Sequence, residues 1–443
     1  MSGFFREWPK DRLSQIYTYD SAKPDHSICS DYYQAPDTMR FSSKMLFPPI
    51  ENLDSAYRAV RASRGAFQDG PNSDLDAVVE FAKGFEPDVI YCQPLHFPRY
   101  YWWLPRYLGA ILDRPLVTHI MDDWPTMIAN RDRHEGRELW VKKLNACLND
   151  LFQNSTVTLG ISDEMDRGFQ ERYGKSFEVL QNAIEIDEWK QIHKDYSSSS
   201  GIFKIMYIGK ILPYMQHQSL QDIGEVASRL TTRGTPVDFI IHGPEHLNDK
   251  YGQELFSQPS VHYGGFLPRE SFAQSLADAD LLVVPVNFDE QSLSFVKYSM
   301  PAKVPEYMAS GTPILVYSPA ETPPAQYARK ARWGAVVDER DLNVLEHQIT
   351  TLINSPVLRQ ELGQRARAIA LNDHSFDSVR ARFRQVMIEA AASRSPTVLG
   401  TFTDWLAAAK MMMAPRRLVG RLPEPVKKTI RSTSRRGSRS NVK

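Results

Sequence analysis

The sequence predicts an α/β protein of two doubly wound, parallel-sheet domains, and three observations carry that prediction. Short apolar runs alternate with helical periodicity from residue 87 to residue 180 and again from residue 203 to residue 337, the pattern of strand, crossover helix and next parallel strand. A stretch at 195–201 containing four consecutive serines interrupts this alternation and marks a linker. With 443 residues the chain also exceeds one ordinary core, so two domains of about 200 residues plus extras are expected.

Composition narrows the function classes. Hydrophobic residues make up 42% and charged residues 24%, as in a soluble globular protein, and no run approaches the ~18 apolar residues that span a bilayer. Charges and a proline within residues 1–12 exclude a signal-peptide core there. Cys29, Cys92 and Cys147 are odd in number and widely spaced, which supports neither a disulfide framework nor a zinc site and fits a reducing cytoplasm. Formal charge is zero overall, yet residues 394–443 hold 12 lysines and arginines against Asp404 and Glu424 alone, so the tail is basic and the remainder acidic.

In chain order, residues 1–9 read as the end of a helix and 13–19 as a strand, so the chain opens as if in mid-motif. Residues 20–52, rich in Pro, Asp and Ser, read as an irregular excursion, followed by helices at 53–66 and 75–85. Strands are expected at 87–92, 116–121, 156–161 and 177–180, with helices at 98–112, 135–152 and from a Ser162 cap to Tyr173, all forming one sheet. The second sheet takes strands 203–208, 237–242, 260–263, 281–285, 314–317 and 335–337, with helices such as 219–233 and 268–278 between them. Helices at 341–354 and 356–371 follow, and an amphipathic helix at 376–392 is long enough to cross back to the first domain. The expected division is therefore a first domain at 1–195, a linker at 196–201, a second domain at 202–371, a returning helix at 372–393 and a basic tail at 394–443.

Ligands of such sheets bind beyond the carboxyl ends of the strands, which points to Gly209-Lys210, Gly243-Pro244, Gly264-Gly265, residues 285–294 and the stretch 299–317. In that last stretch Ser299 is the expected cap of a short helix and Gly311 its left-handed end. Lys303 and Glu306 then share a face near the helix N-terminus, an arrangement suited to a ligand with both phosphate and sugar hydroxyls. Such pairs are most often solvated and worth roughly 0.2–0.5 kcal/mol. Pro301 and Pro305, both costly to a helix, raise the functional reading.

The run Pro-Ala-Lys-Val-Pro-Glu-Tyr-Met-Ala-Ser-Gly-Thr-Pro, Gly209-Lys210 after the first strand of the second domain, and residues 161–165 and 181–185 before the linker together resemble retaining glycosyltransferases of GT-B fold, family 4 (group 1), in a subgroup with Pro-x-Lys-x-x-Glu-Tyr. The resemblance implies two Rossmann-like domains facing a cleft, no metal and no cofactor. It implies Gly209 and Lys210 at the donor diphosphate, Glu306 at the ribose hydroxyls and Lys303 nearby. Fixed cations at a diphosphate leaving group would stabilise its developing charge. This chain departs from the pattern twice: Tyr298, itself a substrate-binding candidate, stands where the first of two glutamates is expected, and Met215 where a second cation is expected. The family's opening strand and glycine-rich loop are also missing before Leu13, so an internal start or a truncated chain is expected.

On the acceptor side Asp122 is the catalytic candidate, for positioning the acceptor, and His96 a further substrate-binding candidate; His119 reads as a core histidine. Adjacent Asp122 and Asp123 point to opposite faces of an extended chain and do not form a metal site by themselves. The aromatic cluster Phe97, Tyr100, Tyr101, Trp102, Trp103 and Tyr107 reads mainly as packing. The basic tail is either solvated or laid on an anionic membrane surface, each cation there contributing about 1 kcal/mol; with no basic platform elsewhere, nucleic acid is not an expected partner. The expected function is transfer of a sugar from a nucleotide-diphosphate sugar to a hydroxyl acceptor, lipid-linked or polysaccharide, by a cytoplasmic enzyme at or near the membrane. The rivals are a GT-B nucleotide-sugar epimerase and a non-catalytic nucleotide-sugar-binding protein.

Overall fold

The computed structural model describes residues 2–17, 25–35, 73–94, 104–131, 137–196, 201–244 and 250–393. His96, the aromatic cluster at 97–103, the helix expected at 53–66, the serines at 197–200 and the basic tail lie outside the described residues.

The first half contains α1 (Ser2–Phe5), β1 (Ser14–Tyr17), β2 (Asp31–Gln34), α2 (Ser73–Phe85), β3 (Ile90–Cys92), α3 (Leu104–Leu112), β4 (Leu116–His119), α4 (Trp124–Arg131), α5 (Arg137–Gln153), β5 (Val157–Gly160), α6 (Asp163–Tyr173), β6 (Glu178–Val179) and α7 (Asp187–Lys190). Strands β3, β4, β5 and β6 form a parallel sheet in that order. Two expectations are corrected here. Asp31–Gln34, within a stretch expected to be irregular, is a strand that pairs in parallel with β1. Strands β1 and β2 form a sheet of their own rather than joining the first one. The polar Asp-Tyr-Tyr-Gln sequence of β2 is mostly half-buried and lacks the apolar run that announces a buried strand. Helix α4 was also unforeseen; it starts because Asp123 caps it, accepting from the Thr126 amide and hydroxyl.

The second half contains β7 (Phe203–Ile208), α8 (His217–Thr232), β8 (Val237–His242), α9 (Lys250–Phe256), β9 (Val261–Gly265), α10 (Arg269–Asp278), β10 (Leu281–Pro285), α11 (Glu290–Val296), α12 (Val304–Ser310), β11 (Ile314–Tyr317), α13 (Pro323–Ala331), β12 (Ala335–Val337), α14 (Leu342–Asn354), α15 (Pro356–Asp373) and α16 (Phe376–Ala392). The six strands are parallel in the order β12-β11-β10-β7-β8-β9. The chain runs outward from β7 to β9, then returns to β10 on the other side of β7. The strand order therefore reverses between β7 and β10, the switch point beyond whose carboxyl ends ligands of such sheets bind.

The halves are sewn together. One buried apolar cluster runs from Ile120, Leu148 and Phe169 of the first half to Met206, Leu282 and Tyr307 of the second. The capping hydroxyl of Ser162 accepts from the Met165 amide and donates to the Tyr298 carbonyl at 2.9 Å. Helix α16 returns to the first sheet, packing Val379, Phe383, Val386 and Met387 on Val117, Leu159 and Leu180, with Phe4, Phe5 and Trp8 closing over it. Its Arg380, 7% exposed, donates to the Gly3 carbonyl and pairs with Glu7 and Glu185.

Candidate functional site

The crevice between β7 and β10 is laced by one side chain. Asn287, 1% exposed, donates to the Pro213 carbonyl at 2.9 Å and accepts from the Ser219 amide at 3.2 Å, while its own amide donates to the Met215 carbonyl. The loops after both strands are thereby fixed to the start of α8. Within the first loop, the buried Tyr207 hydroxyl donates to the Lys210 carbonyl at 2.9 Å and receives the Gln216 amide. A Cβ at Gly209 would lie 2.4 Å from that hydroxyl, so glycine is the residue that lets the chain turn over the ring. The Lys210 side chain is left exposed. Met215 packs with Tyr214 against Val286, Phe295 and Val296. The place of an expected cation is thus an apolar plug, and Met127 of α4 presses on the same cluster from the first half.

Helix α12 begins later than expected. Ser299 does not cap it: the N-cap is Lys303, in helical conformation and without a side-chain cap bond, and Pro305 sits in the first turn, where its missing N–H costs no bond. Gly311 ends the helix at φ 77°, as expected. The Tyr307 hydroxyl accepts from the Ile208 amide at 2.8 Å, so the residue after Glu306 touches the residue before Gly209. That bond draws the start of α12 to the mouth of β7.

Lys303 and Glu306 do not form a hydrogen-bonded pair with each other. Glu306 Oε1 accepts instead from Arg269 Nη1 at 2.9 Å, and the other guanidinium nitrogen pairs with Glu188 of α7. Arg269 also stands 5.6 Å from the Phe272 ring centre, and Lys303 stands 5.9 Å from the same ring. Burial depresses the Lys303 ammonium below its ordinary value, and the charge of Glu306 partly offsets this. Sequence reasoning missed Arg269 because its partners lie 37 and 81 positions away, beyond any local spacing. At the carboxyl ends of β8 and β9 the His242 ring lies so close to Gly264 that a Cβ there would meet it at 2.3 Å.

Tyr298 is not an open group of the crevice. It is 9% exposed, set edge-on to Phe169 at 5.7 Å and against Gly168 of α6. A Cβ at Gly168 would fall 2.2 Å from its hydroxyl. Where a ligand-binding glutamate was the expected pattern, this chain has a knob that locks the two halves.

In the first half, Asp122 and Asp123 have separate surroundings. Asp123 is 3% exposed and takes both guanidinium nitrogens of Arg172 at 2.7 and 2.8 Å. Asp122, at the carboxyl edge of the sheet, has no hydrogen-bond or ion-pair partner among the described residues. Burial, with the Asp123 charge beside it, holds its carboxyl above the usual carboxylate range. His119 is fully buried, its Nδ1 2.9 Å from the Tyr91 hydroxyl, and burial pushes its imidazole down to about 4. Among the described residues no three His, Cys, Asp or Glu side chains gather as metal ligands, and no helix is long and apolar enough to cross a membrane.

Residues 202–355 match the family model of glycosyl transferases group 1. The matched segment contains Gly209, Lys210, Arg269, Tyr298, Lys303 and Glu306. A similar curated protein is the poly(ribitol-phosphate) alpha-N-acetylglucosaminyltransferase of Staphylococcus aureus (strain COL), 20% identical over 202 residues, which are 45% of this chain and 38% of that protein. The chain thus spans well under half of that relative. Among solved structures, a glycosyltransferase from Rickettsia africae superposes with TM-score 0.55 and 10% identity, covering 74% of this chain and 83% of the other. Anabaena HepE in complex with UDP and glucose superposes with TM-score 0.54 and 15% identity, covering 87% and 94%. The chain therefore has the GT-B fold of these structures.

Proposed function

We propose that the chain is a glycosyltransferase that moves a sugar from a nucleotide-diphosphate donor to an acceptor hydroxyl, with retention of configuration, in cell-surface polysaccharide or glycolipid synthesis. The observation that supports this reading is the junction of α12 with β7, where the hydroxyl of Tyr307, next in sequence to Glu306, accepts from the amide of Ile208, which precedes the Gly209-Lys210 turn at the switch point of the sheet. In this reading Lys210 meets the diphosphate, Glu306 the ribose hydroxyls, and Lys303 adds charge at the same helix start. Asp122 faces the acceptor. The donor class is supported by the matched family model and by HepE, a structural neighbour solved with UDP and UDP-glucose. The first 195 residues serve as the acceptor domain, 202–371 as the donor domain, and the basic tail meets an anionic membrane surface on the cytoplasmic side.

A thermal-shift screen of nucleotide-diphosphate sugars tests the donor reading, because a selective ligand stabilises by RT ln(1 + [L]/Kd). Glu306→Ala should weaken the selected donor by about tenfold, ~1.4 kcal/mol, in calorimetry. Unchanged affinity would remove Glu306 from the donor site. A second reading, a nucleotide-sugar-binding protein without turnover, is favoured by Met215 and Tyr298, both of which are packed into apolar surroundings. Sugar release or transfer under single-turnover conditions separates the two.

A further inference from the structure

Glu306 is not a freely rotating carboxylate. Its Oε1 is held by Arg269 Nη1 at 2.9 Å, while its Oε2 has no hydrogen-bond partner among the described residues. The arginine is fixed in turn by Glu188 and by the face of Phe272, itself 8% exposed. A guanidinium is planar and presents its donors as a rigid fork, so holding one arm on Glu188 and the flat face on a ring defines where the other arm points. Three separate elements supply this holder: Arg269 opens α10, Glu188 lies in α7 before the linker, and Glu306 lies in the first turn of α12. Glu188 also shares the positive charge, so Arg269 is not engaged by Glu306 alone and the free oxygen keeps its capacity as an acceptor.

We propose that Arg269 is a positioning residue of the donor site, which orients Glu306 so that its unpaired oxygen accepts hydrogen bonds from the vicinal hydroxyls of a ribonucleotide. The inference rests on the donor reading of Glu306 given above. An ionised acceptor makes a stronger hydrogen bond to a hydroxyl than a neutral one does, provided that it is already aimed. Without Arg269, the glutamate would adopt several rotamers and lose most of that preference for a ribose over a deoxyribose.

The test compares UDP, GDP, ADP and CDP with their 2′-deoxy forms by calorimetry, taking the base that binds most tightly. The parent should favour the ribonucleotide by about tenfold, ~1.4 kcal/mol. Arg269→Gln and Glu306→Gln should each bring the ratio near one. Arg269→Lys, which keeps the charge without the fork, should restore part of it, and Glu188→Gln, which loosens the arm that aims the guanidinium, should lower it. Partial unfolding lowers both apparent affinities alike and leaves the ratio unchanged, so a purely structural role does not imitate the result. Loss of preference in Glu306→Gln but not in Arg269→Gln overturns the role of Arg269 alone. Preference retained in Glu306→Gln, or binding of none of the four diphosphates by the parent, overturns the donor reading and the positioning role with it.

Discussion

Asp122 and Asp123 are adjacent in sequence, and the fold gives them opposite tasks. Asp123 is consumed in capping α4 and holding Arg172, whereas Asp122 is half-buried and has no partner among the described residues. If Asp122 must be ionised to position the acceptor, transfer activity should rise with pH through a value above the ordinary 3.8 of an aspartate. Asp122→Asn should lower turnover at least tenfold and remove that acidic limb from the pH–rate profile. An unchanged profile would move the limb to another group. Gly168 makes a different demand, since any side chain there enters the Tyr298 ring. Gly168→Ala should destabilise by about 1–3 kcal/mol through overpacking, read as a lowered thermal midpoint, and Tyr298→Leu in the same chain should recover most of it.

Among the elements, the end of α12 lies close against α15. A Cβ at Gly363 would fall 1.9 Å from the Gly311 carbonyl, and the Tyr196 hydroxyl, which donates to that carbonyl, crowds the same spot. Backbone cannot yield as a side-chain tip can. Gly363→Ala should therefore cost more than Gly168→Ala, and denaturant titration should report a lower midpoint than that of the Gly168→Ala chain. Elements whose signal is local were legible in advance. Strands β7, β8, β10, β11 and β12 coincide with their expected limits because each is an apolar run bounded by turn residues, and α6 starts at its serine cap. Strand β2 was not legible because its partner makes it a strand, its own residues being polar and half-buried. The same division holds in the site. Gly209, Lys210 and Glu306 stand in recognisable runs, whereas Arg269, Glu188 and Asn287 act through contacts dozens of residues away.

For the molecule as a whole, one buried apolar cluster is shared by the two halves. Its acid limit follows from a buried histidine. The folded-state value of His119 is pushed down to about 4 from an ordinary 6.5, so the unfolded chain takes up a proton that the folded protein refuses. Stability from this source is complete above about pH 6.5 and declines as pH falls toward 4, by about 3 kcal/mol in all. Urea titrations at pH 7 and pH 4.5 should show the fall, and His119→Gln should reduce it. Helix α16 adds a matter of timing. The first sheet is complete in sequence at β6, yet its covering helix is the last element described, so during synthesis Val117, Leu159 and Leu180 wait uncovered for the interval from Leu180 to Val379, roughly 10–40 s at ordinary ribosomal rates. Throughout that interval the first sheet keeps an open apolar face while the strands of the second sheet are being made.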